Sequence, residues 1–121
     1  MEKFRCVAID DDLVYLEIFK KLAEKVDCID LVGTFSSAID GAVGVSKLKP
    51  QILFLDIEMP YLDGYETIST LEEKPKIVIV SSHLEYETDE LKIDVKKYVR
   101  KPFEGPEQLE TIVKEVMQLE D

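Results

Sequence analysis

A single histidine, His83, stands among the 121 residues, which excludes a multi-histidine metal centre and leaves His83 itself expected in a surface loop. No apolar run approaches the roughly 18 residues that a membrane-spanning helix requires, so a soluble, globular chain with no membrane contact is expected. The opening MEKFRCVAID lacks both the long apolar stretch and the small-residue cleavage site of a secretory signal. The expected location is therefore the cytoplasm, with Cys6 and Cys28 as reduced thiols on buried or half-buried strand positions. Basic residues are the minority: 15 Lys and Arg against 26 Asp and Glu leave a formal net charge of -11. That balance repels nucleic acid phosphates and argues against direct nucleic acid binding by this segment. Repeats, low-complexity stretches and linkers are lacking too, and 121 residues suit one domain, 1–121, with one core.

What the chain does have is alternation. Apolar runs of strand length, rich in Val, Ile and aromatics, recur at residues 4 to 9, 29 to 35, 51 to 56, 76 to 82 and 96 to 101. Segments of helical spacing lie between them, with Leu16, Phe19, Leu22, Ala23 and Val26 in the first and Leu109, Ile112, Val113, Val116 and Met117 in the last. Strands alternating with helices of this length predict an α/β fold, a doubly wound parallel sheet covered on both faces. Asp12 is positioned to cap the first helix, Ser36 or Ser37 the second, and Gly105-Pro106 places proline near the first turn of the last. The fourth predicted helix is the weak one: YETDELKID offers only Tyr86, Leu91 and Ile93 as apolar anchors, so it should be short or mobile.

In an open α/β sheet the ligand crevice lies beyond the carboxyl ends of the strands. The polar residues that fall there are Asp10, Asp11 and Asp12 after the first strand, Asp56 after the third, Ser81 and Ser82 after the fourth and Lys101 after the fifth. Gathered carboxylates repel one another, which raises a pKa or recruits a cation, and a hard oxygen site with open positions suits Mg2+. Beside such a cation the Asp56 carboxylate is a nucleophile able to attack phosphorus and form an acyl phosphate. Phosphoryl transfer spreads charge over three oxygens, for which the cation, Lys101 and the Ser81 hydroxyl are available partners. Each residue alone has a plainer reading: helix cap and solvated acids for Asp10 to Asp12, a strand-end hydroxyl for Ser81, edge packing for Tyr98, solvation or contact with an acidic partner for Lys96 and Lys97, small filler for Ser82.

IDDD after the first strand, FLDIEMPYLDG at the third, IVSS at the fourth and YVRKPF at the fifth resemble the receiver domains of two-component response regulators, over essentially the whole chain and in the same order. The resemblance implies a five-stranded sheet of order 2-1-3-4-5, flavodoxin-like. It further implies Asp56 as phosphoacceptor and Asp10 and Asp11 as the acidic pair, with Asp11 the direct Mg2+ ligand and Glu58 contributing its backbone carbonyl. Met59-Pro60 and Gly64 become the turn into the third predicted helix, Ser81 the switch hydroxyl, Tyr98 the switch aromatic, Lys101 the phosphate-binding lysine, and Lys101-Pro102 a cis peptide with Pro102. The implied partners are a histidine kinase or histidine phosphotransfer protein upstream and an output protein or domain downstream, with a phosphorylation-dependent homodimer as the implied assembly.

Two departures from the pattern stand out. Position 81 is Ser where Thr is common, which keeps the hydroxyl and loses a rotamer-restricting methyl. SSHLEYE followed by DVKKY is closest in style to receivers of LytTR-type regulators, yet Thr88, Asp89 and Glu90 stand where those carry small and apolar residues. Competing readings are a phosphatase of the haloacid dehalogenase kind, disfavoured because Glu58 occupies the place of that family's second Asp, and a pseudo-receiver that has lost the chemistry. The chain ends just past its last predicted helix, as expected of a stand-alone receiver or of the amino-terminal part of a LytTR-type transcription factor.

Overall fold

The computed structural model describes residues 3–56, 74–82 and 95–118. Five strands, β1 (Phe4–Ile9), β2 (Ile29–Phe35), β3 (Ile52–Asp56), β4 (Lys76–Ser81) and β5 (Val95–Arg100), form one sheet in the order β2-β1-β3-β4-β5. Every neighbouring pair is parallel. Helices α1 (Leu13–Glu24) and α2 (Ala38–Leu48) connect the first three strands, and a last helix (Pro106–Gln118) follows β5. The predicted third and fourth helices, with Glu58, Met59, Pro60, Gly64 and His83, lie outside the described residues.

Strand parity builds two cores. Side chains of successive strand residues point to opposite faces, and β1, β3 and β4 are apolar on both, as strands of a covered parallel sheet must be. Cys6, Ala8, Ile52, Phe54, Val78, Val80 and Val99 pack with Leu16, Phe19 and Ala23 of α1 and with Leu109, Ile112, Val113 and Val116 of the last helix. Val7, Ile9, Leu53, Leu55, Ile77 and Ile79 pack on the other face with Ala38, Ala42 and Val45 of α2. Both cysteines are buried free thiols. Burial pushes the Cys6 thiol up to about 12, with Cys28 and Asp30 adding to the effect.

The helix ends follow from capping chemistry. Asp12 accepts from the Tyr15 N–H at 3.1 Å at the start of α1, and Ser37, not Ser36, accepts from the Asp40 N–H at 3.1 Å at the start of α2. Pro106 is the first residue of the last helix, where its missing N–H costs nothing. At the end of α2, Lys49 takes the left-handed conformation (φ 50), and the Arg5 guanidinium donates to its carbonyl. Gly41 lets α2 approach the sheet: a Cβ there would stand 2.3 Å from Ile9 Cδ1.

Strand limits differ from expectation by a residue at most: β3 starts at Ile52, β4 ends at Ser81 and β5 spans Val95–Arg100. Ser82 is exposed and so is not a packed filler. Lys97 is not simply solvated, because its ammonium meets Glu115 of the last helix at 2.5 Å.

Candidate functional site

The parallel topology sends the ends of β1, β3, β4 and β5 to one edge. Beyond β1, the Asp10 N–H donates to the Phe35 carbonyl at 3.0 Å, which extends the pairing with β2 and fixes where Asp10 stands. Its Oδ1 accepts from the Asp12 N–H at 2.9 Å, so the same turn that presents Asp10 leads into the cap of α1. Asp56 closes β3 opposite Val80. Both carboxylates are almost wholly buried, 1% exposed for Asp10 and 2% for Asp56. Asp11 is exposed, and one carboxylate oxygen from each of Asp10, Asp11 and Asp56 lies within 4.8 Å of the others.

Lys101 supplies the countercharge. Its N–H donates to the Ser81 carbonyl at 2.9 Å, continuing the pairing of β5 with β4 by one residue. Its ammonium lies 2.6 Å from Asp10 Oδ2 and 3.7 Å from Asp56 Oδ2. Burial alone would lower the Lys101 pKa, but contact with Asp10 and the charges of Asp56, Asp10 and Asp12 outweigh it and the net direction is up. Outside this ion pair Asp10 Oδ2 has no hydrogen-bond partner among the described residues. A buried carboxylate oxygen held by charge, beside two further carboxylates, is a donor set that fits a hard divalent cation.

The sequence profile of the response regulator receiver domain matches residues 6–114. The chain belongs to the response-regulator receiver family. This receiver is 31% identical over 102 residues to the transcriptional regulatory protein BtsR of Escherichia coli K12, covering 83% of the chain and 43% of BtsR. It is 34% identical over 103 residues to a response regulatory protein of Shewanella oneidensis, covering 83% of the chain and 43% of that protein. The chain thus spans less than half the length of these curated relatives. Among solved structures it resembles the signal receiver domain of the response regulator NarL from Mycobacterium tuberculosis, with TM-score 0.79 at 17% identity over 97% of this chain and 98% of that one. It also resembles a chain in the complex of the CheA3 P1 domain with CheY6 from R. sphaeroides, with TM-score 0.78 at 20% identity over 98% and 99%. These likenesses confirm the fold, and the observed strand order is the one that the resemblance implied.

Within the receiver, Asp10, Asp11, Asp56 and Lys101 therefore meet in one site. Ser81 is fully buried at the end of β4, one residue beyond the partner of Asp56. Tyr98 is 46% exposed on β5. The Lys101-Pro102 peptide is cis, as expected.

Tyr15 is the residue that sequence reasoning missed. Its ring lies under the Lys101 ammonium, 4.5 Å from centroid to nitrogen. The available signal was spacing: Tyr15 precedes Phe19 by four residues and so shares its buried face of α1.

Proposed function

We propose that this receiver takes a phosphoryl group onto Asp56 and thereby switches a partner-binding surface. The observation that carries the reading is the buried Asp56 carboxylate flanked by Asp10, Asp11 and the Lys101 ammonium. A carboxylate oxygen of Asp56 attacks phosphorus of a phosphohistidine; the new O–P bond forms as the N–P bond breaks, and the imidazole leaves with the bonding pair and takes up a proton. Asp10, Asp11 and Asp56, with the backbone carbonyl of Glu58, would hold Mg2+, which when bound supplies charge neutralisation for the phosphoryl oxygens. Lys101 already sits between Asp10 and Asp56 and offers its ammonium to a second oxygen without travelling far. The Ser81 hydroxyl, at the end of the adjacent strand, is the donor for a third.

Switching follows from these contacts. Attraction of Ser81 toward the phosphoryl group shifts the end of β4, and Tyr98, half exposed on the neighbouring strand β5, turns inward. The upstream partner on this reading is a histidine kinase or a histidine phosphotransfer protein. It is supported by Leu13, Val14 and Ile18, which α1 exposes next to the acidic edge. The R. sphaeroides complex, in which the P1 domain of CheA3 is bound to CheY6, lends further support as an encounter of the same kind. The receiver modifies only itself and turns over no external substrate beyond its phosphodonor. Residues 1–121 act as one regulatory domain in the cytoplasm; among the described residues no helix is long and apolar enough to cross a membrane.

Relatives about twice as long, some bearing the name transcriptional regulatory protein, support an output carried by a further domain, such as a LytTR-type one. The test is intact mass after incubation with acetyl phosphate and Mg2+. One phosphoryl mass is expected on the wild type and none on Asp56→Asn or on wild type in EDTA. An unmodified wild type, with Asp56→Asn behaving identically in partner binding, would overturn the reading in favour of a phosphorylation-independent module.

A further inference from the structure

Lys101 is anchored at both ends by the same helix, and the residue that holds its charged end is Tyr15. The ammonium stands 4.5 Å from the centre of the Tyr15 ring, within the range at which a cation is attracted by an aromatic face. At the backbone end, Phe103, two residues on, packs against Phe19 at 5.7 Å between ring centres, and Phe19 stacks on Tyr15 at 6.1 Å. Phe54, two residues before Asp56, joins the cluster at 5.0 Å from Phe19. A chain of rings thus runs from the base of the phosphoacceptor strand through α1 to the loop that carries Lys101.

The phenol itself is uncharged and makes no competing demand on the lysine. Burial, then Asp10 and Asp56, push its pKa above the ordinary phenol range, and its hydroxyl has no hydrogen-bond partner among the described residues. What Tyr15 presents to Lys101 is a neutral π face that is 9% exposed. Lys101 has a stem of four carbons and three rotatable donors, and two carboxylates compete for it. Without a surface behind it, the ammonium would follow Asp10, the nearer acid at 2.6 Å, and leave Asp56 at 3.7 Å less well served.

We propose that Tyr15 is a positioning residue for phosphoryl transfer, its ring holding the Lys101 ammonium between Asp10 and Asp56. This rests on the reading of Asp56 as phosphoacceptor. The experiment compares Y15L, Y15F, K101M and Y15L/K101M with wild type, using acetyl phosphate and Mg2+ and following phosphorylated protein by intact mass. Y15L slows phosphorylation about fivefold, a loss of the size expected for a partly desolvated cation–π contact. Y15F, which keeps the ring, restores the wild-type rate.

Because Tyr15 acts through Lys101, Y15L slows K101M no further, whereas a merely structural defect would add to it. A spectroscopic signature accompanies the rates in the unphosphorylated protein: ring current displaces the Lys101 Hε resonances upfield in wild type and Y15F and not in Y15L. Magnesium affinity, measured by calorimetry, stays the same in Y15L. Wild-type rates in Y15L, a Y15F as slow as Y15L, additive rates in the double variant, or unshifted Lys101 resonances in wild type would each overturn the assignment. If instead wild type itself takes no phosphoryl group, the reading of Asp56 fails, while the resonance test of Tyr15 still stands on its own.

Discussion

Replacing Lys101 by Met keeps the length of the stem and removes the charge, and the structure sets how much that should cost. At an effective dielectric constant of about 20, contacts of 2.6 and 3.7 Å correspond to gross attractions of about 6 and about 4.5 kcal/mol. Much of that offsets the desolvation of an ammonium whose side chain is only 13% exposed. The net loss is governed by what is left behind: two carboxylates, 1% and 2% exposed, without a cation between them. K101M is therefore expected to lose about 4 kcal/mol, in line with the cost of breaking a buried pair. Urea unfolding in EDTA, followed by circular dichroism, measures this. With a slope of about 1–3 kcal/mol per molar, the midpoint should fall by more than about 1 M. An unchanged midpoint would refute the assignment of Lys101 as the countercharge of two buried acids.

Three further outcomes are expected. Mg2+ at ten times its dissociation constant should stabilise the wild type by about 1.4 kcal/mol, and Asp11→Asn, at an exposed position, should remove most of that gain with little change in EDTA, as thermal unfolding with and without the ion will show. On the alkaline side, Cys6 has a folded pKa raised from 9.0 to about 12, so its contribution is complete below pH 9.0 and is lost as pH rises toward 12. The loss is about 4 kcal/mol, and a Cys6→Ala variant should show a flatter stability profile over that interval. Gly41→Ala should destabilise by about 1–2 kcal/mol in urea titrations despite the better helix propensity of Ala, because its Cβ would stand 2.3 Å from the buried Ile9 side chain.

How far the sequence could be read depended on whether the determining physics was local. β1 and β2 were legible to the residue because Val, Ile and aromatic runs end at turn-forming acids or serines. Asp12 was legible as a cap because a cap is defined by its neighbours three residues on. The gathering of Asp10, Asp56 and Lys101 was legible once five parallel strands were assumed, since that topology brings every carboxyl end to one edge. The choice between Ser36 and Ser37 was not, because both are capping residues and the backbone direction entering α2 decides. Lys97 looked like a solvated charge because Glu115, its partner, is on another element. Tyr15 escaped for the same reason: its position on α1 was readable, but the lysine above it is contributed by the far end of β5.

Strand parity also explains why chemistry and readout are separable in this receiver. Asp56 continues the parity of Ile52 and Phe54, Asp10 that of Cys6 and Ala8, and Lys101 that of Val99, all members of the core under α1 and the last helix. Ser81 instead continues the parity of Ile77 and Ile79, members of the opposite core. Tyr98 alternates with Val99 and so leaves that first face as well. The acids and the lysine thus approach the edge from one side of the sheet, and the two residues assigned to switching approach it from the other. On the proposed reading, information must cross the sheet at the end of β4, where Ser81 neighbours Arg100 in register and accepts the Lys101 N–H on its carbonyl. That hydrogen bond ties the lysine that senses the phosphoryl group to the serine that answers it. A change in the Asp56 state should therefore alter protection of the Lys101 amide in hydrogen exchange before it alters any amide of β1 or β2. Equal protection of the Lys101 amide in phosphorylated and unphosphorylated protein would mean that the crossing lies elsewhere.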